Sequence, residues 1–157
     1  MNQDSVLRKQ LIMLLKGGEA HLPVKNILEG VNPGIINKRP HEDGKSIWEE
    51  LEHLRLSQKD ILDYIEKIDY RSMNWPEDYW PKNSEAGEEE WESFKNKFLD
   101  DLDKVVKLVD DENFDLFGTV PQNQNHTNLR EVFLIADHNA YHLSKIVQIR
   151  KYFGDWK

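Results

Sequence analysis

The sequence predicts an all-α protein in which four long helices form an antiparallel bundle, as one domain over residues 1–157. Apolar residues recur every three or four positions through most of the chain, which is the spacing of one face of a helix. No stretch shows the sustained apolar–polar alternation that is typical of a β-strand. A chain of 157 residues has the length of one domain and can bury a core without covalent cross-links.

The composition excludes several classes of function. The chain has no cysteine, so it can form no disulfide, thiolate metal site or cysteine nucleophile. Its formal charge of −8 argues against nucleic acid as a partner, because phosphate binding needs clustered lysine and arginine. The apolar run at residues 11–15 is too short for a signal peptide or a membrane span. We therefore expect a cytoplasmic protein with neither nucleic acid nor a membrane as its partner.

The first helix begins at residues 4–5, and the pair Gly17-Gly18 interrupts it. A shorter helical piece is predicted over residues 19–29. Its Pro23 lies near the start, where the missing amide costs little. Residues 30–44 contain two prolines and are predicted to form a loop.

The second long helix has the clearest start signal. Ser46 is a good N-cap, and Glu49, three residues later, completes a capping box. Its predicted core face continues in alternating steps of four and three residues. The members of this face are Ile47, Leu51, Leu54, Gln58, Ile61, Ile65 and Ile68. An aromatic connection over residues 70–87 follows, which is either a lid over a functional site or a plug at the end of the core.

The third helix is predicted over residues 88–109. After a connection at residues 110–126, the fourth helix begins near Asn128 as N-cap, with Glu131 at position N3, and ends near Phe153. One apolar stripe of the fourth helix consists of Leu129, Val132, Phe133, Ala136, Ala140, Leu143 and Val147. Isoleucines also lie on the opposite side, so neighbouring helices or a second subunit are expected to cover both sides. The second case predicts a homodimer.

Two histidines of the fourth helix are the first candidates for chemistry. His138 and His142 are four residues apart, so their side chains project from one face with Cβ atoms about 5–6 Å apart. Two imidazoles at this separation can bind one ion. In zinc-protease helices a glutamate follows the first histidine, but Asn139 stands there, so that interpretation lacks its catalytic base. The pair alone is also compatible with two surface histidines that have no function.

A third ligand has to come from another helix. His53 lies beside the apolar face of the second helix, a position equally compatible with a half-exposed, hydrogen-bonded histidine. His126 would lie about 18 Å from His138 along a continuous helix, too far to share an ion. His41 lies in a loop and His21 near the start of the short helical piece, and the sequence assigns neither of them a role.

Four segments, in this order, resemble the DinB/YfiT-like superfamily of bacterial helical-bundle proteins. They are LLKGGEAH at residues 14–21, SIWEELEHLR at 46–55, the aromatic loop WPEDYWP at 75–81 and HNAYHL at 138–143. The resemblance implies that a metal ion is held by His53, His138 and His142. The chain departs from the family at Ser144-Lys145, where a Gly-Gln pair is common, and this departure leaves the ligands unchanged.

The resemblance also implies a divalent cofactor, with zinc or nickel expected first and iron or manganese next. Three imidazoles leave coordination positions open, as in catalytic sites. One expectation is therefore a transferase that activates a low-molecular-weight thiol, or a hydrolase that activates water. The alternative is a non-enzymatic bundle, either a small-ligand-binding or a stress-related protein, whose metal site is structural or vestigial. Glu52, Asp137 and Tyr141 lie near the ligands in the sequence, but none of them is assigned as a base.

Overall fold

The computed structural model describes residues 2–156, which are mostly helical. Its α-helices are α1 (Gln3–Lys16), α2 (Val24–Leu28), α3 (Ile47–Glu66), α4 (Glu88–Asp110) and α5 (Asn128–Tyr152). Short 3-10 helices occupy Pro33–Ile35 and Glu77–Tyr79, and the strands β1 (Thr119–Val120) and β2 (Asn123–Thr127) pair antiparallel. The prediction of a helical protein is confirmed, with the addition of this small sheet.

Helix α3 packs against α4 on one side and α5 on the other, and α1 contacts both α4 and α5. The core between these helices contains large side chains that are almost fully buried. They include Trp48, Leu51, Leu54, Trp91, Phe98 and Ile146. Burial of one such side chain contributes about 1.5–3 kcal/mol, so these contacts hold α3 against both α4 and α5.

The start of α3 has the predicted capping box. The Ser46 hydroxyl accepts a hydrogen bond from the Glu49 amide at 3.2 Å, and the Glu49 carboxylate accepts one from the Ser46 amide at 2.9 Å. The helix ends at Glu66, so the predicted core residue Ile68 lies beyond it and is 87 % exposed. Ile61 is only partly buried.

Gln58 is the polar member of the α3 core face, and it is buried. Its Nε2 donates to the Phe98 carbonyl on α4 at 2.8 Å. Its Oε1 accepts a hydrogen bond from Asn139 Nδ2 on α5, also at 2.8 Å. One side chain therefore links α3 to both of its main neighbours.

The helical piece predicted over residues 19–29 is shorter in the structure and extends only from Val24 to Leu28. Pro23 is its N-cap and has an extended ψ of 139°. Upstream, Gly17 caps α1 with a φ of +71°, and a Cβ atom there would lie 2.8 Å from the His21 ring. The chain turns back at this glycine, which leaves residues 19–23 outside a helix.

The start of α5 differs by one residue from the prediction. Thr127, not Asn128, is the N-cap, since its hydroxyl accepts a hydrogen bond from the Arg130 amide at 3.2 Å. Asn128 is the first helical residue, and its Nδ2 donates to the Asp115 carbonyl at 2.8 Å. Glu131 is therefore at N4 rather than N3.

Three members of the predicted α5 stripe are buried, namely Val132, Ala136 and Leu143, and the opposite side is covered as well. Ile135, Ile146 and Ile149, on the side of the histidines, are buried, whereas Phe133 is 45 % exposed. The histidine side therefore belongs to the core contact with α3. Within the described part of the chain, no helix is both long and apolar enough to cross a membrane.

Candidate metal centre

The contact between α3 and α5 brings His53, His138 and His142 together. Each side chain offers one ring nitrogen, and these three atoms lie within 4.8 Å of one another. Nε2 of His53 lies 3.1 Å from Nε2 of His138. Two nitrogens bound to one tetrahedral ion at about 2.05 Å would lie about 3.3 Å apart, so the observed spacing suits a shared ion. Residues 2–156 contain no second group of this kind.

Two of the three imidazoles have defined hydrogen-bond partners. Nδ1 of His53 donates to the Tyr79 carbonyl at 2.7 Å. Nδ1 of His142 donates to the Glu50 carboxylate at 2.6 Å. Because the proton is then on Nδ1 in both rings, the Nε2 lone pair of each is free for a metal ion. Imidazoles with this arrangement fit zinc, nickel, iron or manganese.

The third histidine is less constrained. Nδ1 of His138 is buried and has no hydrogen-bond partner. His53 and His142 are 2 % and 6 % exposed, whereas His138 is only partly buried. The side of the centre that adjoins His138 is therefore the side that a ligand from solvent would reach first.

Burial favours the neutral form of two of the three histidines, His138 and His53. It lowers the pKa of His138 to about 3, and the neighbouring imidazoles of His142 and His53 add to the effect. Burial also lowers the pKa of His53, although the hydrogen bond to Tyr79 opposes this shift. Both rings are therefore uncharged near neutral pH, which is the form that binds a metal ion.

We expect the metal-free protein to lose stability as the pH falls below about 6.5. His138 takes up a proton near that pH when the chain is unfolded, but in the folded protein it stays neutral down to about pH 3. Its contribution to stability is thus complete above the unfolded pKa and is lost as the pH falls through this window. Urea unfolding in the presence of a chelator, at about pH 7.5 and about pH 5, measures the change.

The His138→Gln variant should lose less stability over this pH range than the wild type. His41→Gln, in an exposed loop, is the control and should behave like the wild type. An equal loss of stability in the wild type and in His138→Gln would show that folding does not keep the His138 ring neutral at the lower pH.

The aromatic connection covers one side of the centre. The Trp80 ring stacks on the His53 ring, with centroids 4.1 Å apart and planes 6° from parallel. Nζ of Lys45 lies over the Trp80 ring, 4.7 Å from its centroid. Trp75, at the start of the loop, is 69 % exposed. Of the two roles left open for this connection, the position of Trp80 fits the cover, while Ala86 of the same connection packs in the core.

Three ionisable side chains that lie near the candidate ligands in the sequence make different contacts in the structure. Glu52 forms two hydrogen bonds of 2.7 Å with Arg55, and Asp137 is exposed. Tyr141 is 62 % exposed, and its ring centroid lies 5.0 Å from that of His142. None of the three forms a hydrogen bond with one of the clustered histidines.

Sequence reasoning missed Glu50, the carboxylate that contacts the candidate ligand His142. It is 2 % exposed, and Nζ of Lys145 lies 3.8 Å from its other oxygen. Its position three residues before His53 places both side chains on one face of α3, which was the available signal. Trp80 was noted only as a member of the aromatic loop.

The remaining histidines lie outside the centre. Nδ1 of His126 shares a hydrogen bond with the Tyr64 hydroxyl at 3.0 Å. Nδ1 of His21 donates to the Leu22 carbonyl at 2.9 Å. His41 is exposed in the loop before α3. The structure gives none of them a place among the candidate ligands.

A model of one protein family, the DinB superfamily, matches residues 24–146. The matched segment contains α2 to α4 and most of α5, with all three clustered histidines. No curated protein and no solved structure matches the chain.

Proposed function

Because the chain belongs to the DinB superfamily, we propose that it binds one divalent metal ion through His53, His138 and His142 and is a metal-dependent transferase for a low-molecular-weight thiol. The observation that carries the proposal is the meeting of three imidazoles from two helices, with their nitrogens within 4.8 Å. Three protein ligands leave a coordination position for a substrate.

When bound, the ion would lower the pKa of a thiol so that a thiolate is present at neutral pH. The protein's own residues hold the ligands in place for this chemistry. Glu50 orients His142 and increases the basicity of its Nε2, and the Tyr79 carbonyl orients His53. Trp80 shields the buried face of His53 from water.

A thiol suits this centre better than water does. Hydrolysis requires a residue that accepts a proton from the attacking water. The two buried carboxylates nearby are already engaged, Glu50 with His142 and Glu52 with Arg55. A free thiol has a pKa of about 8.5 and needs only a modest shift to ionise, so it can react without such a base. Hydrolysis of an electrophile by activated water is the second activity to test.

The rest of the proposal concerns assembly. We propose a single domain in which the four long helices form an antiparallel bundle, since α3 and α1 each contact both α4 and α5. We also propose a homodimer formed through α5, where Phe133, Leu134 and Tyr141 are exposed. A chain without cysteine suits the reducing cytoplasm, which is the proposed location.

The proposed activity can be tested with a panel of low-molecular-weight thiols and a fluorogenic electrophile. We expect a thiol-dependent rate that disappears when a chelator removes the metal and returns with one equivalent of zinc or nickel. His138→Ala should abolish the rate, whereas His41→Ala, in the exposed loop, should keep it. The same electrophile without a thiol measures hydrolysis.

Three results would contradict a transferase. A rate that survives complete chelation would show that the ion is not used. Ligand binding without turnover, with every metal and thiol tested, would identify a binding protein instead. Unfolding of the chain when the metal is removed would identify a structural ion.

A further inference from the structure

The carboxylate of Asp60, on α3, contacts both ends of residues 70–79. This segment leads from α3 to Trp80, which covers the candidate metal centre. The Tyr70 hydroxyl donates to Oδ1 at 2.8 Å, and the Tyr79 hydroxyl donates to Oδ2 at 2.7 Å. Residues 70–79 therefore form a loop that one side chain of α3 closes. Asp60 itself has no hydrogen bond to any of the three clustered histidines.

Tyr79 binds α3 at two positions. Its hydroxyl contacts Asp60, while its carbonyl accepts the hydrogen bond from His53 Nδ1 at 2.7 Å. These two residues are seven positions apart on α3, which is about 10 Å along the helix axis. The residue is thus held at both ends, by its side chain and by its main chain.

The residue that follows Tyr79 provides the cover of the centre. The Trp80 ring lies parallel to the His53 ring at 4.1 Å. Because the peptide between the two residues is planar, the position of Tyr79 restricts where the Trp80 ring can lie. Loss of the Asp60 anchor would free both the carbonyl and the indole that orient His53.

We propose that Asp60 is a positioning residue of the metal centre, which acts on His53 through Tyr79 and Trp80. This inference rests on the proposed binding of a metal ion by the three histidines. A carbonyl fixed on Nδ1 keeps the proton of His53 there and directs Nε2 at the ion. A stacked indole fixes the plane of the same ring. Two properties of the ligand, its tautomer and its orientation, then depend on one carboxylate that does not touch it.

The two tyrosines provide a matched pair of variants. Tyr79→Phe and Tyr70→Phe each remove one hydroxyl from the same carboxylate, so each loses one hydrogen bond of the same kind. Only Tyr79 carries the carbonyl that contacts His53. Competition with a chelator measures the affinity for Zn²⁺ alone, and urea unfolding of the metal-free forms measures their stability.

We expect Tyr79→Phe and Asp60→Ala to weaken zinc binding by about 10-fold, and Tyr70→Phe by no more than about 2-fold, at similar stability. A purely structural role would lower the stability of both tyrosine variants and leave zinc binding equal in the two. Wild-type affinity in a folded Tyr79→Phe protein would overturn the inference, and so would equal weakening in Tyr70→Phe.

A second measurement does not depend on metal. In the metal-free protein, NMR signals of the His53 ring report its Nδ1 hydrogen bond and the ring current of Trp80. They should shift in Tyr79→Phe and Asp60→Ala and stay in place in Tyr70→Phe. If the wild type bound no zinc, the proposed function would fail, while these shifts would still decide whether Asp60 orients His53. Unchanged signals in all three variants would overturn the inference by themselves.

Discussion

Simultaneous replacement of His138 and His142 with alanine is expected to reduce the metal content from near one ion per chain to background. The two residues supply two of the three imidazoles that converge between α3 and α5. A single remaining imidazole, on His53, has no partner with which to chelate an ion. The measurement is elemental analysis of untagged protein purified without chelators, because a polyhistidine tag would itself bind metal.

The matched control removes two histidines from other places. His21→Ala/His41→Ala lowers the number of imidazoles equally but alters exposed positions that lie outside the cluster. This variant should keep its metal. Circular dichroism must show that the His138→Ala/His142→Ala protein is folded, since His142→Ala leaves the buried Glu50 carboxylate without its hydrogen bond. Retention of metal in the folded variant would refute the site, as would a wild type that stays empty after reconstitution with zinc and nickel.

Glu50→Gln is expected to weaken metal binding by roughly 10- to 100-fold. The glutamine has nearly the same shape and can still accept a hydrogen bond from His142 Nδ1, but it lacks the negative charge. In the wild type this charge lies 2.6 Å from Nδ1, and the residue is 2 % exposed, so little solvent screens it. Its loss makes Nε2 a poorer donor to the ion. The affinity for zinc, measured by chelator competition, reports the effect.

Glu52→Gln is the control for that substitution. Glu52 is also buried on α3, at 6 % exposure, but its carboxylate pairs with Arg55 and not with a histidine. It should bind zinc as the wild type does, even if its stability is lower. An equal loss of affinity in both variants would mean that the charge acts through the fold and not through His142.

The start of α3 shows what a local sequence pattern predicts well. Ser46 and Glu49 form the expected capping box because a capping box needs only residues three positions apart. The helix predicted over residues 19–29 extends only from Val24 to Leu28, and no local pattern predicts this shortening. It depends on a glycine with positive φ whose neighbour His21 lies against it, which is a property of the folded chain. The small sheet was missed because its strands are only two and five residues long and are mainly polar.

For the candidate site, too, local spacing predicted some features, while features that depend on helix packing were missed. The spacing of His138 and His142 predicted that the two rings share a face of α5, whereas the inclusion of His53 came from a family resemblance and not from its own surroundings. Glu50 and Trp80 were missed because their contacts cross between elements. A hydrogen bond from α5 to Glu50 depends on how α3 and α5 pack, which no single helix pattern contains.

The bridge that Gln58 forms between α4 and α5 also has a consequence for the axial register of the helices. Asn139, its partner on α5, lies directly between the two ligand histidines of that helix in the sequence. A slip of α5 by one residue would move Asn139 by about 1.5 Å, and a slip by one turn by about 5.4 Å. Either slip would break a 2.8 Å hydrogen bond inside the core and leave polar groups unsatisfied there. The same slip would carry His138 and His142 away from the level of His53. This buried amide pair thus favours the alignment of α3 and α5 in which the three imidazoles meet.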